Sequence, residues 1–347
     1  MSDISLDRKA IDAAARLLEE GKLVAFPTET VYGLGADAEN PHAVAAIYAA
    51  KGRPANHPVI VHLAPEGDVR YWATDIPAEA RKLIDAFWPG PLTLILKRAA
   101  HIPDAVSGGQ DSIGLRCPSH PVAQALLREF KGGWGGLAAP SANKFGHVSP
   151  TTARHVRDEF GEPQADQGPL AAILDGGQSD VGIESTILDL SRMASHGPVL
   201  LRPGHISPQQ IAEVIGRMPA LPDAAAPRAS GTLEAHYAPA TPVALVQSQE
   251  LAETVRQLGN NSKRAAVMRR GSGELAGASA QLALPDEPVA YAHGLYAGLR
   301  ELDAAGADII LIEAPPTDAA WQGVNDRLRR AAFDSAGVLA SLVQKTS

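Results

Sequence analysis

The chain has 347 residues, enough for two domains at about 150 residues each. Its 31 Lys+Arg against 39 Asp+Glu leave a formal charge of −8, which excludes a dedicated nucleic-acid module with a pI above roughly 9. A hydrophobic content of 45% with 20% charged residues supports an ordinary core and excludes wholesale disorder.

A single cysteine, Cys117, rules out a disulfide framework and a cysteine-based zinc site. No apolar run reaches the roughly 18 residues that span a bilayer. The N-terminal stretch MSDISLDRKAIDAAARLLEEGK is charged and amphipathic, without the apolar core of a secretory signal. The expected location is therefore cytoplasmic, with no membrane partner.

In chain order, Asp7 is placed to cap a helix whose Ile11, Ala14, Ala15 and Leu18 share one face and which stops at Gly21. A short apolar strand, 23–26, follows. Asn40, with Pro41 at the first helical position, opens a second helix through Ala50. Strands are expected at 59–63 and 92–97, with a helix at about 77–87 between them. Further strands are expected at 112–116, 136–139, 171–174, 185–190 and 199–202, and Ser207-Pro208 starts a helix ending at Gly216. The fold class is layered α/β.

Residues 218–241 are rich in proline and alanine and carry no apolar periodicity, the composition of an extended, semi-rigid linker. Beyond it, strands at 243–246, 264–268 and 308–312 alternate with helices near 249–258, 291–303 and 320–342. That alternation suits a small parallel open sheet. The expected domains are 1–217, a linker and lid at 218–241, and 242–347.

Some familiar sites are absent from the sequence. There is no GxxxxGK[ST] loop. Gly33-Leu34-Gly35-Ala36-Asp37-Ala38 matches GxGxxA, but PTETVY separates it from the preceding strand, where a dinucleotide loop needs a tight turn. His57 and His62 lie five apart, on opposite faces if both are in one strand, so no metal pair is expected there.

What remains is a polar set at strand ends: Thr30, Lys51, Arg53, Arg116, Ser141, Asn143, Ser185 and Arg202. Cations beside hydroxyls and an amide suit a polyanion such as ATP together with a carboxylate. The same residues also have a plainer reading as helix caps and dipole partners. Spacing alone does not separate the two.

The runs PTETVYGLG, KGRPANHPVIVH, SIGLRCP, PSAN with SPT, GIESTILDL, LRPG and HYAP, in that order, resemble the YrdC-like threonylcarbamoyl-AMP synthase family. Together with NDRLRRA near the C-terminus they resemble its long, two-domain form. The resemblance implies a twisted open mixed sheet with a central cavity, followed by a smaller Rossmann-like α/β domain. It implies that L-threonine, bicarbonate (or CO2) and ATP yield threonylcarbamoyl-AMP and pyrophosphate, which a separate tRNA threonylcarbamoyl-transferase complex uses beside the anticodon. Direct tRNA binding is expected to be weak or absent.

By position, the resemblance gives Thr30, His62, Arg116 and Ser185 to threonine, with Arg116 clamping its carboxylate. Lys51, Arg53, Ser141 and Asn143 become the catalytic set. These four, with His57, Ser112, Thr151, Arg202 and Tyr237, become the ATP contacts. Mg²⁺ is expected to arrive with ATP, held mainly by substrate oxygens, since no protein metal site is visible. Three departures from the family pattern stand out: His57 replaces an expected amide or lysine, the linker lacks Pro-Gly-Met, and residues 191–198 lengthen a loop. The competing expectation is a non-catalytic RNA-binding or ATP-sensing protein on the same fold. A hydrogenase-maturation type of carbamoyl transferase is excluded by the missing zinc-finger cysteines.

Overall fold

The computed structural model describes residues 7–164 and 168–344. The first six residues of the N-terminal stretch and the last three of the chain lie outside it. The chain divides into two compact units, Met1–Phe145 with Ser149–Thr232, and Gly146–Val148 with Leu233–Ser347.

Among the described residues the first unit is built on ten strands: β1 (Val24–Phe26), β2 (Gly33–Asp37), β3 (Ile60–Leu63), β4 (Ala73–Thr74), β5 (Leu92–Arg98), β6 (Ser112–Arg116), β7 (Gly136–Ala138), β8 (Ala172–Ile173), β9 (Thr186–Asp189) and β10 (Val199–Arg202). They form one sheet in the order β10-β9-β5-β6-β3-β7-β2-β1-β8, with β4 added to β5. The sheet is mixed. β3 runs parallel to β6 and β5 to β9, while β7 runs antiparallel to both β3 and β2.

Side-chain alternation along the strands sorts the two faces. Leu92, Leu94 and Leu96 of β5, Ile113 and Leu115 of β6, and Val61 and Leu63 of β3 enter the main core. The helices Pro41–Lys51, Ala78–Phe87 and Pro208–Ile215 close that core with Val44, Ile47, Leu83 and Ile211. Alternate residues point the other way: Thr93 and Ile95, Ser112, Gly114 and Arg116, Ile60 and His62. Register puts Ile60 beside Gly114 and His62 beside Arg116. The helices Arg8–Glu19 and Pro121–Glu129 cover only part of this second face, packing Ile11, Leu18 and Leu126 on Val24, Phe26 and Leu137.

The helix signals in the sequence act as expected. Asp7 accepts from the Ala10 amide, Asn40 from His42 and Ala43, and Ser207 forms a capping box with Gln210. Gly33–Asp37 is strand β2, not a phosphate loop. A Cβ on Gly35 would sit 2.8 Å from the Phe26 ring and 3.1 Å from the Val24 carbonyl oxygen. This glycine serves close strand packing. The sequence reading lacks the helices Val69–Trp72, Pro121–Glu129, Ala153–Phe160 and Met193–His196 and the strands β2, β4 and Ala280–Leu284.

Gly204 shows how tightly the second face is built. A Cβ there would lie 2.5 Å from the Thr186 amide nitrogen and 2.9 Å from the Glu184 carbonyl oxygen. Both are backbone atoms that cannot swing aside. Gly204→Ala is expected to cost about 1–3 kcal/mol, read as a lower urea midpoint at unchanged slope. An unchanged midpoint would show that the loop relaxes freely.

Residues 219–232 pack as a strap on the first unit. Ala220 exchanges backbone hydrogen bonds with Pro198 and Leu200, and Arg228 bonds the carbonyls of Asn56 and Gly108. Ala229 is buried beside Ile60, Ile95 and Ile187. These contacts are backbone bonds and small methyl groups, so they leave no apolar period in the sequence. The lengthened loop at 191–198 forms a short helical turn, and its Arg192 pairs with Asp189 and with Asp223 of the strap, at 3.3 and 3.1 Å.

The second unit is a smaller Rossmann-like layer. β11 (Val243–Val246), β12 (Ala265–Arg270), β13 (Ala280–Leu284) and β14 (Ile309–Glu313) are all parallel, in the order β11-β14-β12-β13. The helix expected over 320–342 is divided into Gln322–Ala331 and Val338–Val343. Gly337, at φ +86°, sits at the break. Among the described residues no helix is long and apolar enough to cross a membrane.

Candidate functional site

The second face of the first unit's sheet gathers most of the predicted residues. Because the sheet is mixed, they do not come from one row of strand ends. His62 and Arg116 stand at the C-terminal ends of β3 and β6, which are parallel. Ser141 follows β7, which runs the opposite way, and bridges Gly33 at the start of β2.

Arg116 is buried, with 4% of its surface exposed. Its Nη1 donates to Thr30 Oγ1 at 2.9 Å and its Nε to the Gly90 carbonyl at 3.3 Å. Its Nη2 lies 2.6 Å from Glu29 Oε1. A directed chain of hydroxyls backs this guanidinium. Thr28 donates its hydrogen to the Val31 carbonyl at 2.6 Å, so in the 2.9 Å Thr28–Thr30 contact Thr30 must donate. Thr30 therefore accepts from Arg116, donates to Thr28, and keeps one acceptor position.

His62 lies in register with Arg116, edge-on to Phe26 at 6.2 Å between ring centres. Its buried Nδ1 has no hydrogen-bond partner. Burial first, and then the Arg116 charge, push its pKa down to about 3. The ring is thus neutral at ordinary pH. The unfolded chain protonates near 6.5 while the folded one resists. This group's contribution is complete above that value and declines as pH falls from about 6.5 toward 3, by up to about 1.4 kcal/mol per unit. Relative to His62→Gln, the native chain is expected to lose about 2 kcal/mol between pH 7 and pH 5 in urea titrations. Parallel pH dependence in the two proteins would overturn this.

Ser185 and Arg202 form the next wall. Ser185 Oγ meets Thr93 Oγ1 at 2.7 Å and accepts from Arg202 Nη2 at 3.2 Å. Arg202 also donates to the Ser185 carbonyl at 3.0 Å and to the Ser230 carbonyl of the strap at 2.8 Å. Arg53 donates to the Pro58 carbonyl at 2.7 Å, and its Nη2 lies 3.5 Å from Ser230 Oγ.

Lys51 ends the helix Pro41–Lys51 and is buried. Its Nζ donates to the Ser141 carbonyl at 2.6 Å and to the Asn143 carbonyl. One ammonium thus holds both ends of the Ser141–Asn143 loop. Burial, and then the nearby Arg53 charge, bring the Lys51 pKa well below that of an ordinary lysine. Ser112 shares the face of Arg116, two positions before Gly114, whose missing side chain leaves room against Ile95, Ile60 and Thr93.

Two of the predicted residues lie at the margin of this group. Thr151 contacts His155 Nδ1 at 3.4 Å. His57 is outside β3 and half-buried, edge-on to Phe145, with its pKa lowered by burial and then by Arg53 and Arg228. Tyr237 belongs to the second unit. Its buried ring packs against Tyr296, with the Arg327 guanidinium 5.3 Å above it, and its φ is +61°.

Residue-by-residue reading gave no role to Glu29, Thr28, Thr93 or Ser230. Glu29 had a visible signal, a lone carboxylate between two threonines after an apolar strand. Ser230 had none, because its place depends on how the strap lies.

In chemical terms the face offers a guanidinium backed by hydroxyls, a neutral imidazole, and separate basic groups around a Ser–Asn loop. Among the described residues no three His, Cys, Asp or Glu side chains gather as metal ligands.

Comparison with known proteins agrees with the architecture. Residues 16–204 match a family model described as "Telomere recombination", the Sua5/YciO/YrdC model, and residues 206–333 match one described as "Threonylcarbamoyl-AMP synthase, C-terminal domain". The chain is 38% identical to a threonylcarbamoyl-AMP synthase of Pyrococcus abyssi, over 92% of this chain and 93% of that one. It is 40% identical to the Bacillus subtilis enzyme of the same name, covering 95% of each. The crystal structure of P. abyssi Sua5 complexed with L-threonine superposes with a TM-score of 0.85 at 36% identity, over 95% of this chain and 96% of that one. Both halves of the molecule and their order therefore place this chain in the Sua5/YciO/YrdC family, in its long form with a C-terminal Sua5 domain.

Proposed function

We propose that the chain is an L-threonylcarbamoyladenylate synthase, a nucleotidyltransferase that joins L-threonine, bicarbonate or CO2, and ATP, releasing pyrophosphate. The observation that carries this reading is the buried Arg116, backed by Thr30 and Glu29 and flanked by neutral His62, on the sheet face that also carries Ser112 and Thr93. It suits an amino-acid carboxylate. Lys51, Arg53, Ser141, Asn143 and Arg202 are the groups for the triphosphate and adenylate, with Ser112, Thr151, His57 and Tyr237 as further nucleotide contacts. Thr30, His62 and Ser185 complete the threonine pocket.

In this reading the threonine amine, as its free base, captures CO2 as a carbamate, and the proton released passes to water. A carbamate oxygen then attacks the α-phosphorus, and pyrophosphate leaves. Lys51 and Arg53 stabilise charge that grows on the leaving group, and no general base is required of the chain. Carbamates decompose in water, so closure over the site protects the intermediate. The strap at 219–232 is suited to that role.

Around the Ser141–Asn143 loop the ammonium groups of Lys51 and Lys144 stand with the Glu159 carboxylate, which takes the Lys144 amide at 2.8 Å, a mixed set that does not fit a resident divalent ion. Mg²⁺ belongs with the nucleotide, where phosphate oxygens ligate it. The product is handed, in the cytoplasm, to a separate tRNA threonylcarbamoyl-transferase complex.

The deciding experiment follows pyrophosphate release from Mg²⁺-ATP with threonine and bicarbonate added singly and together. Release that needs both supports the synthase. ATP binding without threonine-dependent turnover would instead favour an ATP-sensing protein.

A further inference from the structure

The lengthened loop at 191–198 is built against the start of the strap, and both lie in the first unit. Asp189, buried at the end of β9, holds the first residues of the loop. Its carboxylate accepts from the Ser191 amide at 2.9 Å, from the Ser191 hydroxyl at 2.6 Å and from Arg192 Nε at 3.3 Å. Arg192 is thereby fixed in place, with Nη1 left for the strap. That nitrogen meets both carboxylate oxygens of Asp223, at 3.1 and 3.3 Å, and His196 Nε2 stands 3.4 Å from the same carboxylate. Beside this ion pair the Ala220 amide donates to the Pro198 carbonyl and the Ala220 carbonyl accepts from Leu200, each at 2.9 Å. Gly197, at φ +70°, leaves the space that the Arg217 guanidinium fills.

An ion pair as exposed as Arg192–Asp223 contributes little to stability, and the backbone bridge at Ala220 already attaches the strap. What the pair fixes is the direction in which the strap continues. Asp223 opens a turn, its carbonyl accepting from the Ala226 amide at 3.1 Å. From that turn the strap reaches Arg228, on the carbonyls of Asn56 and Gly108, and then Ser230. Ser230 bridges two guanidiniums. Its carbonyl accepts from Arg202 Nη1 at 2.8 Å, and its hydroxyl oxygen lies 3.5 Å from Arg53 Nη2. The spacing of these two arginines therefore depends on where the strap lies.

We infer that Arg192 and Asp223 are positioning residues for nucleotide binding: the lengthened loop buttresses the strap, and the strap, through Ser230, sets Arg53 and Arg202 at the spacing a polyphosphate requires. Two guanidiniums held in advance bind an anion without the ordering cost that free side chains incur. The inference rests on the synthase reading, in which those two arginines meet ATP, and deepens it by giving the loop a part in ATP binding.

The test measures binding of Mg²⁺-ATP and of L-threonine to the full chain by calorimetry. It compares the native protein with Asp223→Asn, Arg192→Gln and the double variant, and records thermal unfolding for each. Each single change is expected to weaken ATP binding by ~3–5-fold, the size of one solvent-facing ion pair, and to leave threonine binding as it was. The double variant should be no weaker than either single one, because the two residues act through one contact. The shared direction is the informative part. Acting only through its field on a polyanion, loss of the Asp223 charge would tighten ATP binding and loss of the Arg192 charge would weaken it. Opposite directions, additive losses or unchanged ATP affinity would therefore overturn the inference. Tighter ATP binding in both variants would overturn it too, by making the strap a competitor of the nucleotide, and equal weakening of ATP and threonine would reduce it to a general loosening. Asp223→Asn leaves Arg192 on the buried Asp189, so it carries the comparison if Arg192→Gln fails to fold. A native protein that binds ATP without threonine-dependent pyrophosphate release would lose the synthase reading, while the shifts in ATP affinity would still decide what the loop does. A native protein that binds no ATP would overturn both.

Discussion

Arg116→Ala is expected to lower the stability of the chain by about 3–5 kcal/mol, because it strands the buried Glu29 carboxylate without its counter-charge. The same change removes the donors that Thr30 and the Gly90 carbonyl now receive. Threonine-dependent turnover should fall with it, by ~10²-fold or more, as expected for a lost bidentate carboxylate contact. The two effects separate in the double variant Arg116→Ala/Glu29→Ala. Removing both charges recovers much of the stability in urea unfolding and none of the turnover. Should the single and double variants be equally unstable, the ion pair would not be the source of the loss. Arg116→Lys is not a mild alternative. A lysine presents its donors at one nitrogen and cannot serve Thr30, Gly90 and a carboxylate together.

Lys51→Met should reduce kcat by ~10²–10³-fold, the cost of removing a preorganised donor aimed at developing charge. Its ammonium now holds the carbonyls of Ser141 and Asn143, so the loop they frame loosens as the charge is lost. A pH signature accompanies this. The folded-state pKa of Lys51 lies well below that of an ordinary lysine, through burial first and then Arg53. The charge is therefore present at low pH and disappears as pH rises through that lowered value. The kcat/KM for ATP should show an alkaline limb below the ordinary lysine range, and Lys51→Arg should move that limb upward. An alkaline limb unchanged in Lys51→Arg would remove Lys51 from the reaction.

Much of the fold follows from local signals in the sequence. Asp7, Asn40-Pro41 and Ser207-Pro208 mark helix starts, since a side-chain oxygen must satisfy the first free amides whatever the tertiary context. Strands such as 112–116 and 199–202 appear where expected, because a short apolar run between turn residues has few alternatives. β2 is the instructive exception. Its two glycines match a GxGxxA pattern, but Gly35 is there because Phe26 and Val24 approach too closely for a Cβ.

The sequence alone determined the class of the fold, the presence of two domains and the inventory of cations, hydroxyls and amides, because composition and short-range periodicity carry all three. Only the tertiary structure decided how that inventory is arranged. Mixed strand directions bring His62 and Arg116 from one side and Ser141 from the other. The Glu29–Arg116 pair joins residues 87 positions apart by number, and the Arg53–Ser230 contact spans 177. Contacts of that separation depend on strand register and on where the strap lies. Neither leaves a period in the sequence, since a buried polar contact is set by the distance between two side chains and not by the spacing of either along its own strand.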